Sequence, residues 1–255
     1  MIPDGLINWL MVFIRVSAML AVFPLLSSQN FPRQLRIALS ALVAYLAAPM
    51  VPQGVPAGQE FWTLVGLMAA EAGIGLLFGF VSRMIFFTVE MAGRIISTEM
   101  GLTLSSDINP FTGSNLEAPA MMLYYLAGVI FFSLDLHHWL LVGIQRSYTY
   151  LPIGGWHLSA ALLEDIIGRT TQIFVVSVQI AAPIIALSFL LSLIFSILSR
   201  AVPQMNVFME SFAVRILAGL AVFGLTLSVM SQHVANYLRR MPEDILHVAK
   251  LVGGH

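Results

Sequence analysis

The sequence predicts an all-α, polytopic membrane-associated bundle of about six long, partly kinked helices. Three observations carry this reading. Of the 255 residues, 58 % are hydrophobic and only 10 % charged, whereas a soluble domain averages about 25 % charged residues because its surface faces water. The apolar residues are gathered in runs of about 20, the length of a spanning helix. Clusters of Pro, Gly, Ser and Asn separate the runs, as breakers separate helices.

The first run, Gly5 to Leu26, carries Asp4 ahead of it and Arg15 inside it. A cleavable signal peptide has a basic head and an uninterrupted apolar stretch, so this segment is expected to stay as a helix. The second runs from Gln34 to Ala48 and stops at Pro49. The third, Phe61 to Met100, has no proline. At about 1.5 Å per residue it reaches roughly 60 Å, twice the hydrocarbon core, so it either breaks near Gly73, Gly75 and Gly79 or extends beyond the bilayer. A breaker-rich loop covers Gly101 to Pro119 and includes Asn109-Pro110 and Thr112-Gly113-Ser114. The fourth helix is expected from Ala120 to about Ser147. The fifth, Thr170 to Ser199, contains no charge, and Pro183 should kink it. The sixth is expected from about Phe212 to Leu238, followed by an amphipathic cytoplasmic stub.

With six spans, one side of the membrane holds Arg146, Arg169, Arg239, Arg240 and Lys250, the other Arg33, Arg36 and Arg200. Lys and Arg accumulate on the cytoplasmic side, so the count favours cytoplasmic termini. The asymmetry is small for a protein lying conventionally in a bilayer.

The sequence excludes several chemistries. A net charge of -1 offers no basic surface for nucleic acid. Without cysteine there is no disulfide or thiolate metal site. Lys250 is the only lysine, so no phosphate loop ending in Gly-Lys-Ser/Thr exists, and neither a Gly-x-Ser-x-Gly elbow nor a His-Glu-x-x-His pair occurs. No catalytic residue, metal or cofactor is expected. Asp135, His137 and His138 read as a cluster at a helix boundary, because neighbouring histidines on a helix point about 100° apart. An ion site is the alternative.

Arg83, Glu90 and Arg94 are spaced by seven and four, which puts them on one helical face. Lipid does not tolerate such a stripe. Buried ion pairs that fix helix register explain it, and so does the lining of a polar conduit; Glu71 and Glu99 pose the same question. Gly75-x-x-x-Gly79 is a small-xxx-small face for close helix packing.

The segment Ser199 to Phe208, Ser-Arg-Ala-Val-Pro-Gln-Met-Asn-Val-Phe, resembles the Arg-x-x-Pro-Gln-Met/Leu-Asn-x-Phe signature of the FliR/SctT family. Those proteins are membrane export-gate subunits of flagellar and virulence type III secretion systems. Ala182-Pro183 is similar to the pattern upstream of that motif. Asp135-Leu136-His137-His138 resembles the family's Asp/Asn-Gly-His-His, with leucine for glycine. Glu99-Met100-Gly101-Leu102 with Pro110 and Pro119 resembles a third block. The chain departs from its relatives at Met209-Glu210-Ser211, where Val-Gly-Phe-Pro is common, and around Leu104 and Asp107, where aromatics are common.

The resemblance implies one subunit of a closed helical export-gate cone, assembled with FliP and FliQ and contacted by FlhB, through which unfolded export substrates cross the inner membrane at the flagellar basal body. It implies a FliP-like part, 1–165, and a FliQ-like hairpin, 166–255. In the family the Gly101–Pro119 loop plugs the resting channel, so Gly101, Asn109, Pro110, Phe111 and Pro119 become gate residues. Arg200, Pro203, Gln204, Met205, Asn206 and Phe208 become a turn that contacts partners, with Gln204 and Asn206 satisfying backbone groups that Pro203 disrupts. Met205 points to the flagellar branch, because leucine is frequent in the virulence branch. A virulence export gate is the alternative. A secondary transporter would need matched broken helices around a midplane site, which Pro183 and the glycines near position 75 do not provide.

Overall fold

A computed structural model of the chain describes residues 4–27, 31–51, 60–102, 118–155, 157, 159–204 and 206–254. Every long regular element among them is an α-helix. The first run forms α1 (Asp4–Val22), and Pro24 opens a single turn, α2 (Pro24–Ser27). α3 (Arg33–Ala47) begins directly after Pro32 and ends in a 3-10 turn containing Pro49.

α4 (Phe61–Glu99) is one unbroken helix of 39 residues. The alternative of a break at the glycines is therefore excluded, and two of those glycines have a packing role. A Cβ on Gly75 would overlap the carbonyl oxygen of Arg15, and one on Gly79 would stand 2.7 Å from that of Met19. The Gly-x-x-x-Gly face is where α4 presses against the α1 backbone.

The expected fourth helix is two. α5 (Ala118–Ser133) and α6 (Leu136–Tyr150) are separated at Leu134-Asp135. Asp135 has φ 54°, the only non-glycine positive φ among the described residues. Asp tolerates the left-handed region better than most residues. Its carbonyl then accepts the His138 N–H at 3.0 Å and starts α6.

α7 (Ala160–Ala201) begins ten residues earlier than expected and runs as one 42-residue helix through Pro183. The Ser159 hydroxyl caps its start by accepting the Leu162 N–H at 3.2 Å. α8 (Val207–Leu238) and α9 (Met241–Gly253) follow. The tail is no stub. α9 buries Met241, Ile245, Val248, Ala249 and Val252 and packs along α6.

Four described stretches are long and apolar enough to cross a membrane: Gly5–Val22, Phe61–Glu99, Ala160–Ala201 and Met209–Gly253; the α5–α6 pair makes a fifth if it counts as one span. α3 has 15 residues, about 22 Å, shorter than the hydrocarbon core. The chain is an all-α, multi-pass membrane protein.

It divides into two compact units. One contains Met1–Ile85, Phe132–Thr170 and Arg239–His255, the other Phe86–Phe131 and Thr171–Leu238. In the first, α1 packs on α3 and α4, and Met11, Val12, Val16 and Met19 are fully buried. In the second, Phe86 meets Tyr124 and Phe131 edge-on, with ring centres 5.9 and 6.4 Å apart. There the Ser177 hydroxyl donates to the Thr88 carbonyl at 2.8 Å, tying α7 to α4.

Candidate functional site

The Pro-Gln-x-Asn turn joins α7 to α8. α7 ends at Ala201, and Pro203, which lacks an N–H and disfavours helix in the preceding residue, prevents its continuation. Asn206 then caps α8: its carbonyl accepts the Glu210 N–H at 3.2 Å, and its side-chain oxygen faces the Met209 N–H at 3.5 Å. The side chain thus serves the start of α8 rather than groups released by Pro203. Arg200, Pro203, Gln204 and Asn206 are all exposed. Met205 lies outside the described residues, and Phe208 belongs to the first turn of α8. Asn206→Ala is expected to destabilise the hairpin by about 1 kcal/mol, the worth of an N-cap, and Asn206→Asp to retain it. Thermal melting in detergent measures both.

Of the loop residues, Asn109, Pro110 and Phe111 lie outside the described residues, while Gly101 and Pro119 mark its two ends. Gly101 has φ +77°. Its N–H bonds to the Thr98 carbonyl at 3.0 Å, and the Leu102 N–H reaches back to the Ser97 carbonyl at 2.9 Å. This is a Schellman stop for α4, which favours glycine at the left-handed position. A side chain there would also crowd the Phe212 ring, at 3.1 Å from the added Cβ. At the other end Pro119 is buried in the first turn of α5, where its missing N–H is harmless. Next to it, Ala120 touches the backbone at Gly93, which has no room for a Cβ. Both ends of the loop are therefore pinned.

On the polar face, Arg94 Nη2 bonds Glu90 Oε1 at 2.8 Å, with the Arg94 side chain 55 % exposed. Phe87 and Thr98 are exposed on the same helix, as is Arg83 earlier along it. The Glu90–Arg94 pair is not buried, so it does not fix helix register inside the chain.

Asp135, His137 and His138 have ligand atoms within 4.8 Å of one another. The two rings do not diverge as expected of neighbours on a helix; their centres are 4.0 Å apart. They sit in the distorted first turn created by the left-handed Asp135.

The most buried polar arrangement was not foreseen as a unit. Arg15 donates from Nε and Nη2 to the two carboxylate oxygens of Glu71 at 2.6 and 2.9 Å. It also reaches the Ser147 hydroxyl at 3.3 Å and the Leu151 carbonyl at 3.2 Å, and its Cζ lies 3.8 Å from the Tyr148 ring centre. Arg15 and Glu71 are both 0 % exposed. The bidentate fork suits a guanidinium and a carboxylate. It joins α1, α4 and α6 within the first unit. The signal was present: Arg15 in the first apolar run and Glu71 in the third are opposite charges that each need a partner. Arg215 in α8 was also overlooked. Its Nη1 and Nη2 donate to the hydroxyls of Ser188 and Ser192 at 3.2 and 2.9 Å, the two serines being four residues apart in the charge-free stretch Thr170 to Ser199 of α7.

Known proteins share this arrangement of sequence. A family model described as bacterial export proteins, family 1, matches residues 6–241. The flagellar biosynthetic protein FliR of Escherichia coli is 25 % identical over 253 residues, covering 96 % of this chain and 97 % of its own length. The protein of that name from Bacillus subtilis is 28 % identical, with 96 % and 95 % covered, and that from Caulobacter vibrioides 30 % identical, with 86 % and 87 % covered. A match that runs through every described helix from α1 to α8, at these identities and nearly full length, leaves one assignment: the chain belongs to family 1 of the bacterial export proteins.

Proposed function

We propose that the chain is a structural and gating subunit of the flagellar type III protein export gate, without catalytic activity of its own. In this reading it forms part of the passage by which unfolded flagellar proteins cross the inner membrane at the basal body. FliP, FliQ and FlhB are its partners, residues 1–165 form the FliP-like part and 166–255 the FliQ-like hairpin. The observation that carries it is the family match across residues 6–241, with relatives named for flagellar biosynthesis. The α7–α8 hairpin supports it. Ile197 is 70 % exposed, Leu217 71 % and Leu225 82 %, an apolar surface of the kind lipid or neighbouring subunits cover.

The Gly101–Pro119 loop, with Asn109, Pro110 and Phe111, is the gate in this proposal. The turn Arg200, Pro203, Gln204, Met205, Asn206 and Phe208 is a contact for partners, and Arg83, Glu90 and Arg94 face a polar passage. Co-expression with FliP, FliQ and FlhB is expected to yield a stable complex holding one copy of this chain. Recovery of the chain only as a free monomer that mediates solute uptake overturns the proposal.

A further inference from the structure

α6 and α9 do not close completely against each other. Between them lies a cavity of about 430 Å³ whose walls include Leu134, Trp139, Gly143, Arg146, Arg239 and Glu243. Gly143 leaves the space open, since a Cβ there would meet only the Pro242 carbonyl at 3.8 Å. Arg146 of α6 and Arg239 of the turn that leads into α9 both line the cavity. Neither guanidinium has a hydrogen-bond or ion-pair partner among the described residues. Trp139 at the rim is 55 % exposed.

The geometry points to a binding site for the headgroup of an anionic phospholipid, of the phosphatidylglycerol type. A phosphodiester placed between Arg146 and Arg239 accepts hydrogen bonds from both, the contact a guanidinium makes best. Glu243 on the same wall accepts from the hydroxyls of a glycerol headgroup. The lining holds two cations and one anion, so a single phosphate leaves the filled site neutral. A tryptophan beside arginines is the usual composition at the boundary between hydrocarbon and water. Basic pockets between membrane helices take such headgroups, and the leucines at the α5–α6 break continue the apolar wall toward acyl chains. This site lies in the first unit.

The test uses the full chain with Trp9→Phe, Trp62→Phe and Trp156→Phe, so that Trp139 alone fluoresces. It is reconstituted in phosphatidylcholine bilayers with a minor fraction of lipid brominated near the headgroup. Brominated phosphatidylglycerol is expected to quench Trp139 at roughly tenfold lower mole fraction than brominated phosphatidylcholine or phosphatidylethanolamine, given the few-fold gain each nearby arginine brings. Arg146→Gln with Arg239→Gln should abolish the preference and Glu243→Gln should increase it. Arg240→Gln, a charge lost next to the cavity but not from it, should leave the preference in place.

Equal quenching by all three lipids overturns the proposal, and so does a preference for phosphatidylethanolamine. An equal loss with Arg240→Gln would mean diffuse surface charge. Removal of the preference by millimolar inorganic phosphate would mean a site for the free ion. Native mass spectrometry of lipids retained by the chain with all four tryptophans gives a second readout: less phosphatidylglycerol is expected to be retained by the double arginine variant, and equal retention counts against the site.

Discussion

Glu71→Ala is expected to lower stability by about 3–5 kcal/mol, enough to remove most of the folded protein from the membrane. The reason lies in what the variant leaves behind. Arg15 is fully buried, and without the carboxylate its guanidinium keeps only the Ser147 hydroxyl, the Leu151 carbonyl and the Tyr148 ring. Neutral acceptors and a ring face compensate part of an ion's desolvation; they do not neutralise it. The charge cannot swing out to water, because α4 presses on the α1 backbone at Arg15 itself through Gly75. Arg15→Ala is expected to be similarly damaging, since it strands Glu71. The double variant Arg15→Met with Glu71→Met replaces both ions by flexible apolar side chains, and it should recover most of the loss, as removal of whole buried pairs often does. Membrane-fraction yield and melting temperature in detergent distinguish these outcomes. A single variant melting with the unaltered chain would mean that the pair contributes nothing to holding α1, α4 and α6 together.

The same cluster shows what the sequence made legible and what it hid. Helix positions followed from apolar runs and breakers, so α1, α3, α4 and α8 appear close to where proline and polar clusters put them. Two boundaries were hidden. The α5–α6 break depends on one residue, Asp135, adopting a left-handed conformation in an otherwise apolar run, and no periodicity announces that. The early start of α7 depends on Arg169, which looked like a loop charge. It instead pairs with Asp165 one turn earlier at 2.6 Å and with Asp244 of α9 at 2.7 Å, so the polar stretch before Thr170 is helix neutralised by packing.

Sequence also flagged Arg15 and Glu71 separately, because an ion in an apolar run is conspicuous. It could not join them, since 56 positions and an intervening helix separate the pair. The Pro203–Asn206 turn was legible as a break between two helices, although Asn206 was expected to serve groups released by Pro203 and instead caps α8. A proline that stops one helix and an asparagine that caps the next need no tertiary information.

Deleting residues 106–116 is expected to open the proposed gate. In assembled complexes small-ion leakage should rise roughly tenfold or more, as when an obstruction is taken out of a pore. The helices on either side have physical reason to survive the deletion. α4 ends in its own Schellman stop at Gly101, and α5 is held by the contact of Ala120 with the backbone at Gly93. Leu102 is nine positions from Gly93, about 14 Å along the helix. The four residues left between Leu102 and Ala118 reach about 17 Å when extended, so the shortened connection still closes. An intact complex with raised leakage thus separates loss of an obstruction from loss of fold. Phe111→Ala, which removes only the one aromatic of the loop, should give a smaller rise. Unchanged leakage in an intact deletion complex would sink the gating role of this loop while leaving the structural role of the subunit in place, because the anchors at Gly101 and Ala120 act on α4 and α5 whether or not the residues between them obstruct anything.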